Sequence, residues 1–475
     1  MQKQLHTITT NRGAITGLLS PEGACEFLGI PFATAQRLEN PIDIQSWENN
    51  FAATSYGSIC PQTPGMLEMV FNMNSSHMNE DCLNLNVFIP RTPTKEMSLP
   101  VLVWIHGGAY TNGAGSIPCY HGGSLAARET VVVAINYRLG PLGFLGDGNY
   151  GILDMLSALR WVQRNISAFG GDNGNVTIFG ESAGGSAVIS LLASSEIDGL
   201  AHKAWAMSPS IGQLRDKPRA IELQEQFVQL AGLTSIDEFR NMSVEDILAT
   251  QQKQMVMPSK GFDFYSPTAG VASISNDILG TASRSPIPLV VGTNRDENKL
   301  WAAFDESLAN ADISRWTEFT NETFGERAKK ARDVYQELRP GESVGGFMSA
   351  VSTDTGFRQP ARRLCEARAE SEVPTWMYWF TWPTPAMGGI IGCCHALDIP
   401  FAFDNLHVEN VSMLTGDGTE RAGIADRFAS EIVAFATHGH PSWSQFNLQE
   451  RPTLVINEET LLTLDPEPQI RILFS

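Results

Sequence analysis

The sequence predicts an α/β protein, a mostly parallel central sheet flanked by helices, and three observations carry that reading. Short, nearly continuous apolar runs recur at strand length: Leu85–Ile89, Val101–Ile105 and Val131–Asn136. Segments with helical spacing alternate with such runs, as layered α/β architectures require. A Gly-x-Ser-x-Gly pentapeptide, Gly180–Gly184, lies between one strand candidate and one helix candidate.

Taken in chain order, Gly13–Leu19 and Ala24–Ile30 alternate apolar and polar residues around turn residues, which predicts an antiparallel lead-in. Pro31 and Pro41 then punctuate a loop-rich stretch. The three apolar runs suit strands covered on both faces in a mainly parallel sheet. Leu153–Ala168 has an apolar stripe of Leu156, Leu159, Trp161 and Val162, and is expected to be helical. Val176–Phe179 reads as a strand after the turn at Gly170–Gly174, and Ala187–Ser194 as a helix. Pro288–Gly292 and the aromatic run Trp376–Trp382 are further strands, and Ile424–Thr437 is an amphipathic helix. Segments 212–285 and 303–370 are polar and helical in character. They are expected to be helical insertions in one domain spanning residues 1–475.

Composition excludes several classes. A chain of 475 residues with 43% hydrophobic and 18% charged residues has ample material for a large core. Its net charge of −19, from 33 Lys+Arg against 52 Asp+Glu, would repel phosphates, so no nucleic acid partner is expected. Met1–Thr10 holds no apolar run suited to a signal peptide, and the longest apolar stretches elsewhere are strand-length. No membrane association is expected, and the predicted location is cytoplasmic. Seven cysteines are too few for a disulfide scaffold. Cys60 and Cys82 bracket a short polar loop and either close it as a disulfide or stand as reduced thiols, which the expected cytoplasmic location favours.

The pentapeptide Gly180-Glu181-Ser182-Ala183-Gly184 fits the nucleophile elbow of the α/β-hydrolase fold. There the serine occupies a strained turn from strand to helix, so that its hydroxyl stands clear of the backbone. Glycines two residues away on either side let strand and helix approach closely. The helix after the turn directs its N-terminal dipole and free N–H groups at the reacting centre. Ser182 is therefore the candidate nucleophile.

An acyl-transfer serine needs donors for the oxyanion that forms. His106-Gly107-Gly108-Ala109 directly follows the strand Val101–Ile105, where this fold places its second donor loop. Small residues there leave backbone N–H groups accessible. Gly107, Gly108, Ala109 and Ala183 are the candidate oxyanion and substrate-binding positions, with Gly108, Ala109 and Ala183 as donors.

The serine also needs a base, and the base an orienting carboxylate, in the chain order Ser, acid, His. His202 follows Ser182 too soon for an acid to intervene. His438 and His440 sit in a turn after the amphipathic helix. His395 lies in the small-residue loop Gly392–Ala396 beyond the aromatic strand, where catalytic groups are carried. Read as a metal site, Cys393-Cys394-His395 offers adjacent ligands with poor geometry, so no metal is expected. For the acid, Asp296 and Glu297 both follow the strand Pro288–Gly292, and spacing does not choose between them.

Several segments together resemble the type-B carboxylesterase and cholinesterase family, most of all its bacterial para-nitrobenzyl-esterase-like members. They are Phe27–Ala33, Glu80–Val87, Trp104–Tyr110, Asn136–Gly140, Phe169–Gly185 and His395–Phe401, in family order from about residue 10 to 470. The resemblance implies Glu297 as triad acid, His395 as base and Ser208 as a hydroxyl supporting the acid. It also implies that Cys60 and Cys82 occupy the family's first disulfide position. The sequence departs from the family pattern at Asn298, where Gly usually follows the acid, at Pro209, where Gly usually follows the supporting serine, and at Met155, where Gln is common. Asn298 and Pro209 bear on how Glu297 is held.

The implied activity is hydrolysis of small to medium, fairly apolar carboxylic esters through an acyl-serine, without metal or organic cofactor. The expected partner is a small-molecule ester, and the expected state a monomer or homodimer. Tyr110, Trp301 and Phe401 are candidates either to wall a gorge beneath the insertions or to pack in the core. Two other readings are a catalytically silent adhesion or scaffold member of the family, which the intact set Ser182, Glu297 and His395 disfavours, and a lipase or peptidase on the same fold.

Overall fold

Leu99–Ile105, Val131–Ile135 and Gly171–Glu181 form the middle of a single sheet because the runs Val101–Ile105, Val131–Ile135 and Val176–Phe179 within them are buried on both faces. The computed structural model describes residues 5–10, 13–20, 23–47, 50–91, 97–146, 148–257 and 263–475. Residues 1–4 of the N-terminal reading and 258–262 of the segment 212–285 lie outside the described residues.

The sheet contains β1 (Leu5–Thr10), β2 (Gly13–Leu19), β3 (Ala24–Pro31), β4 (Asn84–Pro90), β5 (Leu99–Ile105), β6 (Val131–Ile135), β7 (Gly171–Glu181), β8 (Lys203–Met207), β9 (Leu289–Asn294), β10 (Thr375–Phe380), β11 (Pro452–Ile456) and β12 (Leu461–Leu464). Their spatial order is β1-β2-β3-β4-β6-β5-β7-β8-β9-β10-β11-β12, and a short strand, Phe51–Ala52, pairs beside β2. Pairing is parallel from β6 through β5, β7, β8, β9 and β10 to β11, and antiparallel at both margins. This is a mixed, mostly parallel sheet of the α/β-hydrolase fold.

Alternate side chains of one strand enter separate cores. Val101, Val103 and Ile105 of β5 pack into one core, while Leu102 and Trp104 pack into the other. The same split separates Val131, Val133 and Ile135 from Val132 and Ala134 in β6. Helices cover both faces, so every residue of β6 is buried, and the apolar run is continuous for that reason.

Some expectations need correction. Leu85–Ile89 reads as a strand of the mainly parallel run, but the strand that contains it, Asn84–Pro90, is antiparallel to both neighbours, β3 and β6. A continuous apolar run reports burial on two faces and is blind to strand direction. Leu5–Thr10 adds a strand to the lead-in, paired with β2 along its length. The helix expected at Ala187–Ser194 begins at Ala183, because Ser182 ends the strand-to-helix turn and Gly184 and Gly185 are wound into the first turn despite their low propensity. The segment 212–285 has helices at Lys217–Ala231, Val244–Met255 and Ile278–Arg284, but 263–277 is irregular. Cys60 and Cys82 are buried free thiols, not a disulfide; the Cys60 sulfur accepts the Leu139 N–H at 3.3 Å. No helix of the described residues is long and apolar enough to cross a membrane.

One buried ion pair ties the loop after β6 to the helix Tyr150–Asn165. Arg138 donates from Nε and the backbone to Asp154 Oδ2 at 2.8 and 3.0 Å, and from Nη2 to Oδ1 at 2.7 Å. Its Nη1 reaches the carbonyls of Gln36 and Glu39 at 3.2 and 2.8 Å. Asp154 is fully buried. Removing one partner of such a pair leaves an uncompensated buried charge. Asp154→Ala is therefore expected to lower unfolding stability by about 3–5 kcal/mol in a denaturant titration, and a change below about 1 kcal/mol would show that the pair is dispensable.

Candidate active site

The loops that follow β5, β7, β9 and β10 gather at the carboxyl ends of the parallel strands, where open α/β sheets place their ligand sites. β7 ends at Glu181, and Ser182 turns the chain into the helix Ala183–Leu192 with φ 58° and ψ −120°. A β-carbon on Gly184 would lie 2.0 Å from the Ile105 carbonyl oxygen, and one on Gly180 2.6 Å from it. Only glycine permits this approach. Ser182 N–H donates to Met207 O at 2.9 Å, and Ser186 N–H to Ser182 O at 2.9 Å, which pins the strained residue from both sides.

The loop after β5 enters the same region with positive φ at Gly108 (101°), Ala109 (51°) and Tyr110 (59°). Gly107 lies against the elbow, since a β-carbon there would come within 3.2 Å of Ser182 Cβ. Among the described residues, the N–H groups of Gly108, Ala109 and Ala183 have no acceptor. Gly108, Ala109, Ser182 and His395 line one cavity of about 450 Å³.

Glu297 sits on the turn after β9. Its Oε1 accepts Asn294 N–H at 2.7 Å and the Ser208 hydroxyl at 2.6 Å, and its Oε2 lies 2.6 Å from His395 Nδ1. His395 N–H also donates to Glu297 O at 3.2 Å. Of the two acids the sequence left open, Glu297 faces the imidazole. Asp296 turns instead to Arg295 and to the backbone of Cys393. The departures at Asn298 and Pro209 leave these contacts in place: Asn298 N–H donates outward to Thr353 Oγ1 at 3.0 Å, and Ser208, at φ 42°, still reaches Glu297.

Two carboxyl groups not singled out from the sequence share the site. Glu181, the variable residue of the pentapeptide, places Oε1 3.1 Å from His395 Nε2. Asp398 accepts from Tyr378 Oη at 3.0 Å and Asn294 Nδ2 at 3.2 Å. Burial pushes Glu181 up to about 8, further raised by Asp398 and Glu297 although His395 opposes the shift. Burial and the Glu297 charge raise Asp398 to about 7. Burial alone would lower His395, but the carboxylates of Glu181 and Glu297 outweigh it and push the imidazole up to about 9. A charged residue inside a buried elbow was the available signal for Glu181.

The three aromatic candidates divide between cavity and core. Trp301 lines the cavity, but Tyr110 and Phe401 are fully buried core residues, packed against Phe144 and Phe380. Tyr120 and Phe357, the latter from the π-helical turn Asp354–Arg358, are the other aromatic residues that line the cavity. Phe357 packs on the imidazole. Its ring centroid lies 5.0 Å from that of His395, and that of Trp301 lies 5.1 Å away. Met66 and Leu67, from the short helix Met66–Val70, line the cavity as well.

Residues 4–472 match the model of the carboxylesterase family. The chain is 36% identical to para-nitrobenzyl esterase of Bacillus subtilis over 98% of its own length and 97% of that protein's. Its structure resembles that of a PNB esterase, with a TM-score of 0.85 and 32% identity over 99% of each chain. It also resembles a carboxylesterase of Geobacillus stearothermophilus, with a TM-score of 0.86 and 30% identity over 99% of this chain and 100% of that one.

The electrostatics generate a test. Glu181→Gln removes a negative charge facing His395 Nε2, so the imidazole should release its proton at lower pH than in the wild type. Following the His395 Cε1 proton resonance across pH 5 to 10 checks this; an unchanged or raised midpoint would contradict the stated cause of the shift.

Proposed function

The chain belongs to the carboxylesterase family and is an ester-hydrolysing enzyme, and from that premise we propose that Ser182, His395 and Glu297 form its catalytic triad. The observation that carries the reading is the 2.6 Å contact between Glu297 and His395 Nδ1 in the same cavity as the strained Ser182.

In the first half-reaction, His395 Nε2 takes the hydroxyl proton of Ser182 as its oxygen attacks the ester carbonyl. The carbonyl oxygen becomes an oxyanion held by the N–H groups of Gly108, Ala109 and Ala183, with Gly107 keeping the loop close to the elbow. The imidazolium then protonates the departing alcohol, leaving an acyl-serine. Water repeats the sequence: His395 takes its proton, the tetrahedral adduct collapses, and the proton returns to Ser182 as the carboxylic acid leaves. Glu297 fixes the Nδ1–H tautomer and stabilises the imidazolium, while Ser208 and Asn294 hold the carboxylate in place. The cavity's size and its walls of Trp301, Phe357, Met66 and Leu67 favour small to medium, fairly apolar esters.

Hydrolysis of para-nitrophenyl acetate and butyrate tests the assignment. Ser182→Ala and Glu297→Gln are each expected to lower kcat by at least about a thousandfold. Full activity in Ser182→Ala would overturn the reading, and a mild loss in Glu297→Gln would remove Glu297 from the triad.

A further inference from the structure

We propose that Asp296 is a positioning residue that locks the His395 loop onto the turn bearing Glu297, an inference that rests on the triad reading above. Asp296 lines no part of the cavity and is 4% exposed. Its backbone N–H donates to Cys393 O at 2.9 Å, and its Oδ2 accepts Cys393 N–H at 3.0 Å. These two bonds close a ring between a residue adjacent to Glu297 and one two positions before His395.

Three features single out this ring. Arg295 folds back on the same oxygen, Oδ2, with Nε at 3.0 Å and Nη2 at 2.8 Å, which compensates the buried charge. Gly392 stands at φ +54°, and a β-carbon there would lie 2.7 Å from Oδ2, so the loop is shaped to admit the carboxylate. Besides the Glu297–His395 contact itself and the bond from Asn294 to Asp398, the loops are tied by His395 N–H to Glu297 O at 3.2 Å and Asn294 Nδ2 to Cys394 O at 2.8 Å, both with neutral acceptors. A charged acceptor makes a stronger bond than a neutral one. Asp296 is thus an ionic anchor of the joint outside the cavity, beside the Glu297–His395 contact.

The joint matters because a 2.6 Å contact tolerates little error in the relative position of two loops. A misplacement of about 1 Å at a catalytic group can cost on the order of a hundredfold in rate. Loosening the loop also weakens the pull of Glu297 on the imidazole, while Glu181 and Asp398 still face it. His395 then deprotonates more readily.

The test uses full-length Asp296→Asn and Gly392→Ala beside the wild type, with para-nitrophenyl butyrate as substrate. Reactive sites are counted by titration with a fluorophosphonate. For either variant, kcat per titrated site should fall about tenfold or more with KM within about twofold, and the acid limb of the kcat/KM profile should move to lower pH. The proposal is overturned if kcat per site stays within twofold of wild type. It is overturned equally if fewer titrated sites account for the whole loss, or if kcat falls while the acid limb stays where it was, since a merely structural role would produce those results. One folded variant suffices to decide. A wild type that fails to react with the fluorophosphonate would instead overturn the role of Ser182, and this inference with it.

Discussion

The arrangement at the carboxyl end of the sheet depends on one close approach, that of the Ile105 carbonyl to the elbow after β7. Parallel pairing sets Gly180 beside Ile105 and Glu181 beside Met207. The contact leaves no room for a side chain at Gly180 or Gly184. It therefore drives the bend into Ser182, whose φ of 58° is a strained value for a residue with a β-carbon. Such strain costs on the order of 1–3 kcal/mol and persists only where surrounding structure imposes it. Here the imposing structure is the middle of a sheet buried on both faces, and the carbonyl of Met207 accepts the strained residue's own N–H. The same geometry sets the donor loop at Gly107–Ala109 against the elbow, so the two features are consequences of one constraint.

Electrostatics adds a second layer. Four titratable groups are buried together: Glu181, Glu297, Asp398 and His395. Removing charges from water is unfavourable unless hydrogen bonds and opposite charges compensate. Compensation is unequal. Glu297 has three close donors in Ser208, Asn294 and His395. Among the described residues, Glu181 has only the imidazole edge opposite its Oε1, and burial, with the nearby Asp398 and Glu297 charges, raises its proton affinity. The carboxyl with the richest set of donors, Glu297, is the one fixed against the imidazole.

What the sequence reveals follows from these constraints. The strands Val101–Ile105 and Val131–Ile135 are legible because burial on two faces writes an unbroken apolar run. Strand direction in Asn84–Pro90 is not, since its apolar run looks the same in either pairing. Ser182 and the glycines around it are legible because no other residue fits the turn. Glu297 and Asp296 are indistinguishable as letters. They part only when the turn after β9 closes and Asn294 N–H reaches three residues ahead, which sends one carboxylate to His395 and the other to Cys393. Cys60 and Cys82 stand at a position that the family resemblance marks for a disulfide, yet both are free thiols.

The walls of the cavity lie beyond such reading for a different reason. Hydrogen-bonding groups that act on a reacting centre must stand at fixed distances and angles, so their backbone requirements leave marks such as glycines and positive φ. Apolar contact is non-directional and scales with area alone. Trp301 and Phe357 come from segments 56 residues apart, and their rings stack with centroids 6.4 Å apart at an interplanar angle of 10°. Phe357 reaches that position through a single π-helical turn, a local widening of the helix that no periodicity announces. Met66 and Leu67 arrive from a five-residue helix far earlier in the chain. The proposed machinery for acyl transfer is thus encoded locally and the fit to an acyl or alcohol group globally. A change in ester preference can arise at Met66, Trp301 or Phe357 without disturbing a single hydrogen bond of the Ser208–Glu297–His395 chain.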